Sequence, residues 1–302
     1  MSDRHAQATL KVKEVTSAKN PIIKEVSSLT DSAKSRRVAG RFTVEGLREV
    51  SRAIEAGWTL ETALFDPSKL SLDELSALIS EALSRRATRP LITEAPSEAR
   101  ELLYVSCASS AFERVAYRSA VANVVGVFRA QAQTLSALSE RLQGVSSPLL
   151  LVAEGVEKPG NLGALLRTAN AMGVDALLAC EARCDLYHPN ALRNSLGGAF
   201  DLPVISCSSE EAIAWLRAHG VQLVTTYLEG ASALESLDLT RSTALVVGSE
   251  DQGVTARWVE ASDALALIPM QGVVDSLNVS VTAGMALFEA TRQRRVSAQG
   301  AQ

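Results

Sequence analysis

Three short segments hold residue types able to handle a polar substrate, and each follows an apolar run. The first is EGVEKPGNLGALLRTANAMG, residues 154–173. A Pro-Gly turn leads to Asn161, a residue suited to opening a helix by accepting backbone N–H bonds. Arg167 follows about two turns later, expected close to the face set by Asn161 and Leu162. Helix starts attract anions rather than cations, so Arg167 points either to a phosphate or carboxylate partner or to an ordinary surface charge. The second segment, ALVVGSEDQGVT at 244–255, runs from an apolar stretch straight into Gly248-Ser249-Glu250. Gly248 permits close backbone approach to a ligand, or a positive φ. Glu250 stands where a strand gives way to a loop, as a turn residue or as part of a site. The third segment, LALIPMQGVVDSLNVSVTAGMALFEA at 265–290, carries Ser276-Leu277-Asn278 ahead of a helix rich in small residues. Ser276 and Asn278 are natural helix caps. Ala283, Gly284 and Ala286 let that helix press against another backbone, inside the subunit or across a subunit interface.

Other chemistries lack their residues. No G-x-G-x-x-G opens a helix and no G-x-x-x-x-G-K-[ST] loop occurs, which excludes the usual dinucleotide and P-loop sites. His5, His188 and His219 supply neither a Ser-His-Asp set nor a pair at metal spacing. Cys180 and Cys184 are separated by three residues; with Cys107 and Cys207 they read as reduced core thiols. No metal is expected.

A sheet must bring the three segments together. From Pro148 onward the runs LLLVAEGV, DALLAC, LPVIS, VQLVTTYL, TALVVGSE and ALALIPM alternate with helical stretches. That is the pattern of a parallel sheet buried on both faces. Ligands of such sheets bind beyond the carboxyl ends of the strands, where the three segments lie. Earlier in the chain, residues 21–57 carry helical periodicity around the strand-like RFTVEG. Residues 59–128 alternate TALFD, SLDELSALISEALSRR, RPLITEA and VANVVGVFRA. The prediction is a smaller α/β domain over 1–129, a polar, helix-prone linker over 130–147 and a larger α/β domain over 148–302. Residues 1–12 are expected to be a flexible start.

The chain has 302 residues, 47% hydrophobic and 21% charged, enough for two globular domains. A net charge of −4 taken alone argues against a nucleic-acid partner. Its distribution differs: residues 1–52 hold 11 Lys/Arg against 6 Asp/Glu, a local balance of +5. This stretch, which includes Lys34, Arg36, Arg37 and Arg41, is either a phosphate-binding face or a solvated surface. Aromatic residues, at 4%, make no case for base stacking. MSDRHAQATLKVKEV has no apolar export segment, and no run is long enough to span a bilayer. A cytoplasmic protein without a membrane partner is expected.

Taken together, the three segments resemble the signature blocks of the SpoU (TrmH-like) family of RNA 2′-O-ribose methyltransferases, within the SPOUT superfamily. EKPGNLGALLRTANAMG resembles the first block, LVVGSEDQG the second and IPMQGVVDSLNVSVTAGMAL the third, in order and in spacing. TSAKNPIIKEVSSL and GRFTVEGLREVSRAIEAG resemble the substrate-binding domain that precedes the catalytic domain in many members. The resemblance covers roughly residues 15–128 and 150–292. It implies a trefoil-knotted (SPOUT) parallel-sheet domain, a homodimer formed through that domain, and a pocket for S-adenosylmethionine. It implies that Gly248, Ile268, Met270, Leu277 and Asn278 contact the cofactor, joined by Thr226. Arg167 would be the main catalytic residue, with Asn161, Glu250, Ser276 and Asn278 supporting the ribose or ordering the site. Lys34, Arg36, Arg37 and Arg41 would face RNA. The implied reaction is methylation of a ribose 2′-hydroxyl in structured RNA, ribosomal rather than transfer RNA on the strength of the N-terminal domain. The alternatives are a transfer-RNA ribose methyltransferase, base N-methylation as in other SPOUT branches, and a non-catalytic RNA-binding or ribosome-assembly protein.

Overall fold

The structure is a computed structural model and describes residues 10–86, 101–117, 122–131, 133–274 and 276–300. The backbone divides into two compact units, 1–131 and 132–302.

The smaller unit begins with β1 (Lys11–Val15), α1 (Pro21–Asp31), α2 (Ala33–Ala39), β2 (Arg41–Glu45) and α3 (Leu47–Glu55). It continues with β3 (Leu60–Phe65), α4 (Leu72–Ser84), β4 (Leu103–Cys107), α5 (Ser109–Phe112) and β5 (Val124–Arg129). The helix starts are written in the sequence. Asn20 accepts from the Ile22 N–H with Pro21 at the first helical position, and Ser71 and Glu74 form a reciprocal capping box on α4. The sheet order is β1-β4-β3-β5-β2. β1, β4 and β3 run parallel, and β5 is antiparallel to both its neighbours. Lys11 and Val12, expected in a flexible start, instead pair with Leu103 and Tyr104. That pairing is long-range, and a local reading of either segment shows no trace of it. The expected strand RPLITEA, 89–95, lies outside the described residues.

The larger unit opens with α6 (Leu135–Arg141), β6 (Leu149–Glu154), α7 (Pro159–Ala171), β7 (Ala176–Cys180), α8 (Pro189–Asn194) and α9 (Gly198–Asp201). Then come β8 (Val204–Cys207), α10 (Ser209–Ala218), β9 (Gln222–Thr226), β10 (Ser232–Ala233), β11 (Thr243–Val247), α11 (Ala256–Ala261), β12 (Ala264–Leu267) and α12 (Val279–Gly300). Its sheet runs β10-β12-β9-β11-β6-β7-β8 with every pairing parallel. β6, β7 and β11 are buried along their whole length, so both faces are covered and the strands read as unbroken apolar runs. The chain leaves β6 towards β7 and β8, then returns to β9 and β11 on the other side. The β6–β11 seam is therefore where the winding reverses, the place where such sheets open a crevice. The first segment follows β6 and the second follows β11.

The stretch expected as a linker, 130–147, contains α6. Leu135, Leu138 and Leu142 fall at helical spacing, and Leu138 is buried in the core of this unit with Leu150, Leu178 and Trp258. The Trp215 indole N–H donates to Ser139 Oγ at 2.9 Å. Polar composition hid the packing of this helix-prone stretch rather than its helix, because only one narrow stripe of it is apolar. At Gly163 an added Cβ would stand 2.5 Å from the Ala191 carbonyl oxygen, so α8 crosses α7 where a side chain has no room. The small residues of α12 serve an internal crossing: Ala283, Ala286 and Ala290 are buried, and Gly284 faces Thr168 of α7.

Candidate active site

Loops leaving β9, β11 and β12 enclose a cavity of about 480 Å³, within the range that holds a cofactor-sized ligand. Thr226, Gly248, Glu250, Ile268, Met270, Ser276 and Leu277 all line it. Its tightest wall is the loop after β11. Ser249 N–H donates to the Gly253 carbonyl at 3.1 Å and Gly253 N–H to the Ser249 carbonyl at 3.0 Å, folding the loop onto itself. An added Cβ at Gly248 would stand 2.0 Å from the Gly253 carbonyl carbon. Gly248 is there for space, whereas Gly253, with φ +65° and nothing near an added Cβ, is there for conformation.

At one edge of the cavity four polar side chains meet. Lys158 Nζ donates to Glu250 Oε2 at 2.9 Å. Asn278 Nδ2 donates to Glu250 Oε1 and, at 3.3 Å, to Asn161 Oδ1. The Lys158 hydrogen bond holds the Glu250 carboxyl below the usual carboxylate range, against a smaller opposing effect of burial. The same bond, with Glu250's charge, pushes the Lys158 ammonium up from its ordinary value. Glu250 is thus an ionised, fully engaged anchor rather than a spare base. The cluster sets positions; it has no unoccupied acid or base of its own.

Several expected roles move. Asn161 does not cap α7, which starts at Pro159 with Lys158 at the cap position. Proline suits the first helical position, and this leaves Asn161 inside the first turn with its side chain turned to Asn278. Asn278 does cap α12: its Oδ1 accepts from the Ser280 N–H at 3.0 Å and the Ser280 hydroxyl at 2.6 Å. Ser276 lies outside that cap and lines the cavity instead. The Thr226 hydroxyl donates to the Val246 carbonyl at 3.0 Å, so Thr226 offers the cavity its position rather than its hydroxyl proton. Arg167 is not brought to this cavity. Six residues beyond Asn161 it lies about 120° around the helix and about 9 Å along it. It is exposed and makes no hydrogen bond or ion pair among the described residues.

The basic stretch of the smaller unit divides. Lys34 and Arg37 are exposed. Arg36, expected to face RNA, is only 3% exposed, and its Nη1 donates to the Leu29 and Thr30 carbonyls at 2.6 and 3.0 Å. It satisfies the end of α1, where helix carbonyls lack partners, and cannot reach a phosphate. Arg41 is held by Glu25 and, at 4.0 Å, by Glu61, so its charge is already met within the fold. The sequence reading missed Lys158 and Glu154. Glu154 had a visible signal, an acid ending the apolar run LLLVAE, since glutamate is almost never buried unpaired.

Among the described residues no His, Cys, Asp or Glu cluster could hold a metal ion, and no helix is long and apolar enough to cross a membrane. The four cysteines are free. Burial pushes the Cys107 thiol up to about 12 and the Cys184 thiol up to about 11, so neither is a thiolate at neutral pH.

Comparison with known proteins gives two family matches. The SpoU rRNA Methylase family matches residues 148–288, and the MRM3-like substrate binding domain matches residues 20–126. A 23S rRNA (uridine(2479)-2′-O)-methyltransferase from Streptomyces viridochromogenes is 31% identical over 300 residues, covering 97% of this chain and 97% of that one. Among solved structures, an RNA 2′-O ribose methyltransferase is 36% identical with a TM-score of 0.75, covering 94% of this chain and 100% of that one. An AdoMet-bound rRNA methyltransferase from Sinorhizobium meliloti is 30% identical with a TM-score of 0.77, covering 93% and 98%.

Proposed function

This chain belongs to the SpoU rRNA methylase family, and from that premise we propose how its residues divide the work of S-adenosylmethionine-dependent methylation of ribosomal RNA at a ribose 2′-hydroxyl. The observation that carries the reading is the convergence of three strand-end loops on one cavity of cofactor size. When bound there, S-adenosylmethionine supplies a methyl group already activated by positively charged sulfur. Ile268, Met270 and Leu277 form an apolar wall for it. Gly248 lets backbone approach closely, and Glu250, locked by Lys158 and Asn278, shapes the mouth beside Asn161 and Ser276.

The chemical demand is alignment of the ribose oxygen with the methyl carbon, and removal of one proton. Arg167 answers the first part. Its guanidinium forks onto an RNA phosphate and fixes the ribose. A guanidinium is a poor proton acceptor, so its contribution is positioning and polarisation. Because Arg167 lies off the cavity of its own subunit, the reading needs a second copy to bring it near. A surface for that copy exists on α12, where Val281, Met285 and Phe288 are all exposed at helical spacing. The homodimer, the knotted chain path and a cytoplasmic location belong to this same reading. Lys34 and Arg37 supply phosphate contacts from the smaller unit.

Mapping ribose methylation across total RNA from a deletion strain and its parent tests the reading. Loss of 2′-O-methylation at a ribosomal RNA nucleotide is expected; identical maps overturn it.

A further inference from the structure

We propose that Glu154 is a positioning residue for the cofactor: through Thr255 it clamps the loop after β11 in the shape that walls the cavity. This rests on reading that cavity as the S-adenosylmethionine site.

Glu154 ends β6 and is 3% exposed. A carboxylate so buried needs donors, and all of them come from distant parts of the chain. Oε2 accepts from the Thr255 N–H at 2.7 Å, and Oε1 from the Thr255 hydroxyl at 2.8 Å. The Ser209 hydroxyl donates to Oε1 at 3.3 Å. Ser209 is itself held, accepting from the Trp258 indole N–H at 3.1 Å and giving its own N–H to Glu181 at 2.9 Å. Thr255 is the cap residue of α11, yet its side chain makes no cap bond. Its hydroxyl is turned to Glu154 instead.

The geometry makes this a clamp rather than a generic core contact. The loop starts where Val247 pairs with Ala153. It ends at Thr255, bound to Glu154. Two consecutive residues of one strand therefore hold both ends of the loop. Between them, Gly248 to Val254 all line the cavity. Glu154 does not line it, so any effect on the cofactor must travel through the loop. Its charge matters because two donors from one residue converge on it, and an amide in its place would turn N–H groups towards one of them.

The test uses the full chain and S-adenosylmethionine itself. Titration calorimetry gives its Kd for wild type, Glu154→Gln, Thr255→Val and Thr255→Ser, and steady-state kinetics on ribosomal RNA give KM for the cofactor and kcat. Thr255→Val keeps the backbone N–H bond and removes only the hydroxyl bond, so it reports even where Glu154→Gln folds poorly. A rise of about tenfold in Kd and KM is expected for Glu154→Gln, the size of one weakened charge-assisted hydrogen bond. A rise of about threefold is expected for Thr255→Val. In both, kcat should stay within about twofold, and Thr255→Ser should restore the wild-type values. Wild-type Kd in both Glu154→Gln and Thr255→Val, or a fall in kcat at constant KM, overturns the clamp while leaving the cavity assignment standing. A wild-type chain that binds no S-adenosylmethionine overturns both.

Discussion

Replacing Gly248 with alanine should cost the protein most of its cofactor affinity, and the structure says why a single methyl is enough. The new Cβ would stand 2.0 Å from the Gly253 carbonyl carbon, 2.1 Å from its oxygen and 2.4 Å from the Val254 nitrogen. All three are backbone atoms, so no rotamer change relieves the clash. Real Cβ contacts essentially never fall under 3.0 Å, so one strand of the loop must move by about an ångström. That movement breaks the paired Ser249–Gly253 hydrogen bonds, each with a net value of about 1 kcal/mol. Losing both amounts to ~2 kcal/mol, or about 30-fold in Kd, before any direct steric loss of cavity volume. Gly253 provides the control. Its requirement is torsional, and alanine there costs only about 1–2 kcal/mol. Asparagine, which tolerates the left-handed region, should restore most of the binding at 253 and none at 248. Calorimetric titration of S-adenosylmethionine, with thermal melts to confirm folding, measures all four variants. Binding by Gly248→Ala within threefold of wild type, or equal recovery by asparagine at both sites, would refute the steric argument.

Arg167→Ala should lower kcat by about 10²–10³-fold, the range for losing one group that organises a reacting centre. Its cofactor Kd should stay within about threefold, and single-turnover methylation assays check both. Lys34→Ala with Arg37→Ala should flatten the salt dependence of RNA binding by about 1.5 in log–log slope. Arg36→Ala should instead lower the urea unfolding free energy by about 2–4 kcal/mol through its lost carbonyl partners. A matching loss of salt slope in Arg36→Ala would contradict its buried assignment. The Lys158–Glu250 pair sets a pH window. Glu250's value is depressed, so its contribution is present above the ordinary carboxylate value of 4.5 and is lost as pH falls below it. Lys158's value is raised, so its contribution is present below 10.5 and is lost only as pH rises beyond it. Between about pH 6 and about pH 9 cofactor Kd should therefore show no titration from this pair, only that of the cofactor's own amino group; a second titration in that window would show that another protein group controls the loop.

The sheet of the larger unit was legible because its central strands are buried on both faces. Each of β6, β7, β8, β9, β11 and β12 appears in the sequence as an apolar run long enough to notice. β10, with two residues at the sheet edge, is too short to leave such a trace. β1 was missed for a different reason: it is exposed along most of its length, and its partner β4 lies far along the chain. Motif residues were legible as types but not as directions. Asn161 and Arg167 sit in one short string, yet the 3.6-residue turn sends them to different sides of α7. Sequence adjacency alone places them in one crevice. The helix geometry divides them, giving Asn161 to the cavity edge and leaving Arg167 to face outward. Arg36 and Arg37 diverge for the same reason. Consecutive residues on a helix are turned about 100° apart, so one arginine closes α1 while its neighbour meets solvent. A charge count along a segment cannot separate these two uses of the same side chain. Burial can, because a guanidinium that donates to two helix-end carbonyls has no remaining path to a phosphate.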